Sequence, residues 1–271
     1  MLMIASPAIA VSDSGIYYQI GLMWPGAYCA QTTRGCCMPR SPVVPATDFY
    51  VSGFTVFNAT TDAPETSCSG TPFNSGEILE ISGLRQFWSN IKCPSNNGQS
   101  SWKSAWKTSG VCSGLDDKAY FQAAIALRSK INPLSRLVSK GDACMHPWLM
   151  TAVFLERKSS PLIRTGIVIA GIKPDFGLYS LEKIKKVIQA GTGVTPVIQC
   201  SKGPFDKFQL YQIFICVAGD AKTLIECPKP QKFTCSDEIL FHPFKKWMLK
   251  QAASSVSYAE AFEVAGAAMG Y

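Results

Sequence analysis

Residues 101–112 read Ser101-Trp102-Lys103-Ser104-Ala105-Trp106-Lys107-Thr108-Ser109-Gly110-Val111-Cys112. Two tryptophans stand four apart, a lysine follows the second, and a glycine and a cysteine close the run. The stretch holds no histidine and no carboxylate. Trp102 and Trp106 fit a buried frame; as the alternative, they offer faces on which a base could stack. Around this stretch, residues 16–23 and 51–57 carry the β-branched and aromatic content of strands. Ile78, Leu79, Ile81, Leu84 and Trp88 recur at helical spacing, as do the apolar residues of 119–127. Ser180 is positioned to cap a helix running to about Ala190, before Gly191. Leu210–Val217 is a continuous apolar strand with a hairpin partner at 222–227 across Gly219-Asp220, and 39–45 is a Pro-rich loop. Strands and helices do not alternate regularly, which predicts an α+β fold.

The stretch resembles the second active-site motif of the ribonuclease T2 family, F-W-x-H-E-W-x-K-H-G-T-C. Trp102, Trp106, Lys107, Gly110 and Cys112 match. Ser104 and Ser109 stand where the family has histidines, and Ala105 where it has glutamate. The first motif, F-x-I-H-G-L-W-P, corresponds to Phe54-Thr55-Val56-Phe57-Asn58-Ala59-Thr60-Thr61, with Phe57 in place of the histidine. Further landmarks follow in family order: Tyr17 to Cys29 with Trp24-Pro25-Gly26-Ala27-Tyr28-Cys29, then Gly35-Cys36-Cys37, Leu115-Asp116 to Lys130, Phe176 to Leu181, Gly193 to Pro196, Leu210 to Ile213, and Glu226-Cys227-Pro228. The Cys36-Cys37 pair points to the plant S-like branch. The resemblance implies a central antiparallel β-sheet flanked by helices and stapled by disulfides.

Eleven cysteines suit an oxidising compartment. There is no CxxC pair, so no metal site is expected, and no cofactor. The resemblance implies the bridges Cys29–Cys36, Cys37–Cys93, Cys68–Cys112, Cys200–Cys235 and Cys216–Cys227, leaving Cys144 over. Cys144 lies in an atypical insertion, residues 139–169, within a single domain spanning 15–244. That segment is either a partner-binding insertion or a translated intron, the second being favoured. Residues 1–14 read as a remnant signal, ending in the small-x-small pattern Ala8-Ile9-Ala10. Residues 245–271 read as an Ala-rich tail. No stretch is long enough to span a membrane as a helix.

The family cleaves RNA by attack of a 2′-hydroxyl on the adjacent phosphate, with one group taking a proton and another donating one. Phe57 cannot carry a proton and serine is a poor acid or base. Two histidines remain in the chain, His146 and His242, neither at a motif position. The expectation is therefore a degenerate scaffold that is not an enzyme: a secreted or vacuolar, storage-type protein with no catalytic residue. Two alternatives stand beside it. One is an RNA- or nucleotide-binding defence or signalling module, with weak contact through Trp102, Trp106 and Lys107. The other is residual ribonuclease activity. The net charge of +7 is shared with 139–169 and 245–271, so the remainder is only mildly basic, and no basic stripe with interleaved aromatics appears. Asn58-Ala59-Thr60 is a glycosylation sequon.

Overall fold

The computed structural model describes residues 15–32, 34–40, 43–66, 68–138 and 170–250. The expectations for the signal remnant, for Cys144, His146 and the rest of 139–169, and for 251–271 lie outside the described residues. In chain order the strands are β1 (Ile16–Met23), β2 (Cys36–Cys37), β3 (Tyr50–Asn58), β4 (Leu178–Ser180), β5 (Val197–Lys202), β6 (Phe208–Val217), β7 (Leu224–Ile225), β8 (Glu238–Leu240) and β9 (Leu249–Lys250). The helices are α1 (Pro25–Gln31), α2 (Ser75–Ile78), α3 (Leu84–Phe87), α4 (Gln99–Thr108), α5 (Asp117–Ile131), α6 (Pro133–Val138) and α7 (Leu181–Thr192).

β1 is buried on both faces because it is central. It pairs antiparallel with β3 on one side, Tyr18 opposite Val56, and with β6 on the other, Ile20 opposite Ile215. The main sheet runs β3-β1-β6-β8-β4, with β5 and β7 also pairing with β6. Its pairings are antiparallel except for one parallel contact between β6 and β8. The fold is thus α+β, with a central sheet flanked by helices.

α5 covers the sheet. Its apolar residues Tyr120, Phe121, Ala124, Leu127 and Ile131 follow the i, i+3/i+4 rhythm that buries one stripe. Asp116 caps it through the Ala119 amide at 2.7 Å, and Asn132, left-handed at φ 39°, ends it. The periodic stretch 78–88 is not one helix. Gly83, at φ +83°, separates α2 from α3. Ile81, Leu84 and Trp88 are buried all the same, so the spacing reported burial and not continuity. α7 takes its cap from Ser180, continues through Gly191 and stops at Gly193, φ +80°.

Five disulfides join Cys29 to Cys36, Cys37 to Cys93, Cys68 to Cys112, Cys200 to Cys235 and Cys216 to Cys227. The fold continues beyond Phe244, where the domain was expected to end. β9 lies parallel to β2, Leu249 is in the core, and the Met38 amide donates to Lys250 O at 2.8 Å. Residues 137 and 172, on either side of 139–169, meet directly: Ile172 N donates to Leu137 O at 2.9 Å. Among the described residues no helix is long and apolar enough to cross a membrane.

Candidate nucleic-acid site

α4 carries the second motif. Its two tryptophans point inward, 1% and 2% exposed. Trp102 Nε1 donates to Trp88 O and Trp106 Nε1 to Thr71 O, both at 2.9 Å. Neither ring has a face free for a base, so both anchor the helix, which corrects the stacking role considered from sequence. The same packing explains the glycine of the motif. A Cβ on Gly110 would overlap Trp106 Cε3, closer than two carbons can approach. The Cys68–Cys112 bridge ties down the turn that follows.

The opposite face of α4 is polar. Ser104 and Lys107 are exposed and Ala105 is half-buried. Ser109 is buried at the helix end, where its Oγ accepts the Val56 amide at 2.7 Å and also meets the Tyr120 hydroxyl. The fold thereby joins the two motifs, since Val56 precedes Phe57 on β3. Val56 faces inward, and Phe57 turns to the other side of the sheet. There its ring stacks on Tyr17, centroids 5.2 Å apart, in a small cluster with Cys216. Burial, with Asp62 adding to it, pushes the Tyr17 hydroxyl up to about 12, so it stays protonated at neutral pH. Asn58 is engaged through its side chain: Nδ2 donates to Glu65 Oε1 at 2.8 Å, and Oδ1 accepts the amides of Thr60 and Thr61.

Among the described groups here, exposed Lys107 and, one turn before it, exposed Lys103 offer charge to a phosphate, and neither is in a salt bridge. The Ser109 hydroxyl is committed to a backbone amide, and Phe57 holds no proton. His242 lies elsewhere. Its Nδ1 is 2.8 Å from Pro243 O, its ring packs edge-on against Phe176, and its carbonyl takes the Trp24 indole N–H. Trp24 follows the end of β1 remote from Tyr17, the residue against which Phe57 packs.

A second feature was missed from sequence because its residues are scattered along the chain. A pocket of about 550 Å³ is lined by Tyr28, Gln31, Thr32, Arg34, Lys92 and Tyr211. α1 supplies Tyr28 and Gln31. The loop closed by Cys29–Cys36 supplies Thr32 and Arg34, and β6 supplies Tyr211. Lys92 is placed by its bridge to Cys36. Two cations and two phenols line it, with no carboxylate. Burial and the adjacent Tyr211 raise the pKa of the Tyr28 hydroxyl. Thr32 Oγ1 is buried without a hydrogen-bond partner among the described residues. The volume suits a mononucleotide-sized ligand. The described residues contain no cluster of potential metal ligands.

Comparison with known proteins places this geometry. The ribonuclease T2 family model matches residues 15–146 and 154–227. Intracellular ribonuclease LX of Solanum lycopersicum is 31% identical over 239 residues, 87% of each chain. Extracellular ribonuclease LE of the same plant is 30% identical over 239 residues, 87% of this chain and 90% of that one. The solved structure of RNase NT in complex with 5′-AMP superposes with a TM-score of 0.66 at 31% identity, covering 84% of this chain and 98% of that one. These matches overturn the expectation of a non-enzymatic scaffold, because the relatives just described, matched over most of their length, are ribonucleases. With five disulfides and these relatives, the chain is a secreted or vacuolar protein. The matched landmarks, sheet and bridges together place it in one lineage: the chain belongs to the ribonuclease T2 family.

Proposed function

We propose that this protein binds RNA and retains cleavage of the family's kind at a rate limited by proton transfer. The pocket of Tyr28, Arg34, Lys92 and Tyr211 carries the proposal. Two cations and two phenols, unopposed by a carboxylate, suit a phosphate joined to a planar base. The 5′-AMP held by RNase NT supports the same ligand class here.

Cleavage requires the 2′-hydroxyl to lose a proton as its oxygen attacks phosphorus. The departing 5′-oxygen must gain one as its bond to phosphorus breaks, leaving a cyclic phosphate. Phe57, Ser104 and Ser109 occupy the positions at which the family moves those protons, so water must serve instead. Each positioned acid or base is worth roughly 10²–10⁴-fold. Binding and charge stabilisation can still sustain appreciable rates when such groups are gone, as the residual ~10³–10⁴-fold catalysis of protease triad knockouts illustrates. Exposed Lys107 supplies the charge that favours the crowded phosphate.

The test is binding of 5′-AMP and of a 2′-O-methyl RNA that cannot be cleaved, measured by calorimetry. Salt-dependent binding should weaken by at least about tenfold in an R34A/K92A variant, since a hydrogen bond to a charged group is worth about 1.5–3 kcal/mol. Equal affinity in the variant and the parent would refute the pocket as the RNA contact.

A further inference from the structure

The hairpin joining β5 to β6 starts at the wall of the nucleotide pocket. Gln31, a pocket residue, donates from Nε2 to Ser201 Oγ on β5, and Tyr211, another, lies two residues beyond Gln209, the partner of Ser201. From this base the chain runs through Lys202-Gly203-Pro204-Phe205-Asp206-Lys207, closed by Gly203 N donating to Lys207 O at 2.7 Å. Phe205 stands at the tip, 87% exposed, the most exposed of the large hydrophobic residues described. It adopts φ +60° and Asp206 φ +54°. That left-handed conformation strains the backbone of a bulky residue, and the ring gains no burial in return.

The surroundings are cationic. Lys202 and Lys207 bracket the turn that carries Phe205 and are exposed, as are Arg34 and Lys92 at the pocket. Lys250 approaches from β9: a Cβ built on Gly35, next to Arg34, falls 3.6 Å from its Nζ. Among the described residues none of these five cations is in a salt bridge. Asp206 is the one acid on the hairpin. An open aromatic face between cations, continuous with a pocket for one nucleotide, has the composition of a single-strand track, in which bases stack and phosphates are neutralised.

We infer that the β5–β6 hairpin extends the nucleotide pocket into a binding track for single-stranded RNA, with Phe205 as a base-stacking platform and Lys202 and Lys207 on the phosphates. This rests on the pocket's taking a nucleotide, but it adds a separate surface with its own signature, dependence on strand length.

The experiment measures the affinity of the full chain for 5′-AMP and for 2′-O-methyl oligouridines of increasing length, across salt concentrations, in the parent and in F205A, F205W and K202A/K207A variants. Phe205 is exposed, so none of these substitutions removes core. Affinity should rise with length in the parent. F205A should bind the longer strands about tenfold more weakly, with 5′-AMP unaffected and with F205W close to the parent. K202A/K207A should reduce the salt slope by about 1.4, about 0.7 for each phosphate no longer neutralised. Length-independent binding, or long-strand affinity unchanged in F205A, overturns the track. Phe205-dependent binding to anionic phospholipid vesicles without Phe205-dependent RNA binding overturns it too, in favour of a membrane contact. If R34A/K92A leaves 5′-AMP binding intact while F205A still weakens long strands, the pocket reading fails and the hairpin surface stands.

Discussion

Replacing Ser109 with alanine removes one oxygen from the molecule and exposes how that position is now used. β3 is an edge strand, paired only with β1 in the main sheet. Opposite Tyr18, Val56 turns both its backbone groups outward. Its carbonyl takes the Glu65 amide at 2.9 Å, and its own amide donates to Ser109 Oγ at 2.7 Å. Ser109 is 6% exposed and Val56 fully buried, so water cannot replace the lost acceptor without opening the structure. A buried donor left unsatisfied costs about 1–3 kcal/mol. For a chain of this size each kcal/mol lowers the melting temperature by about 2–4 °C, so S109A should melt about 2–12 °C below the parent. S104A, on the exposed face of the same helix, should stay within about 0.5 kcal/mol. Both are read by thermal and urea unfolding with the disulfides intact. If S109A and S104A unfold alike, Ser109 does not cap the edge strand, and its hydroxyl is free for chemistry after all.

Gly110→Ala should destabilise by about 1–3 kcal/mol, because the new methyl overlaps Trp106 Cε3; urea midpoints measure it, and an unchanged midpoint would refute the close packing. Burial, with help from Asp62 and Asp220 respectively, raises the hydroxyls of Tyr17 and Tyr18 to about 12. The folded state therefore holds these protons more tightly than the unfolded chain, whose tyrosines titrate near 10. Their contribution is complete below about pH 10 and is lost as pH rises from about 10 to 12. Absorbance titration of the phenolates should find them ionising near 12 or only with unfolding, and two further normal tyrosines would contradict this. Deleting residues 139–169 should leave a folded protein, since Leu137 and Ile172 already meet; loss of cooperative melting would show that the segment is part of the fold.

What was legible in the sequence follows from the range of each signal. β1, β3 and β6 are apolar runs with little competing preference, and the tryptophan frame of residues 101–112 stays together because one helix carries it. The break at Gly83 was hidden because Ile78, Ile81, Leu84 and Trp88 are all buried, and burial produces helical spacing even across two short turns. The indole orientations were not legible, since an exposed and a buried Trp102 have the same neighbours in sequence. The pocket was least visible. Tyr28, Arg34, Lys92 and Tyr211 come from four parts of the chain, and only the pairing of β1 with β6 and the bridges at Cys29–Cys36 and Cys37–Cys93 bring them together. Phe205 was not singled out, because nothing local in Gly203-Pro204-Phe205-Asp206 marks its ring as exposed.

If RNA is bound and proton transfer limits its cleavage, supplying proton carriers should speed the reaction without changing affinity. The most direct measurement is single-turnover cleavage of an RNA oligonucleotide, with cyclic-phosphate products quantified, for the parent and for an F57H/S104H/S109H variant whose fold is verified by circular dichroism. Restoring the proton carriers should accelerate product formation at least about 100-fold, while affinity for the 2′-O-methyl analogue stays the same. A folded variant that cleaves no faster than the parent would contradict proton transfer as the limiting step.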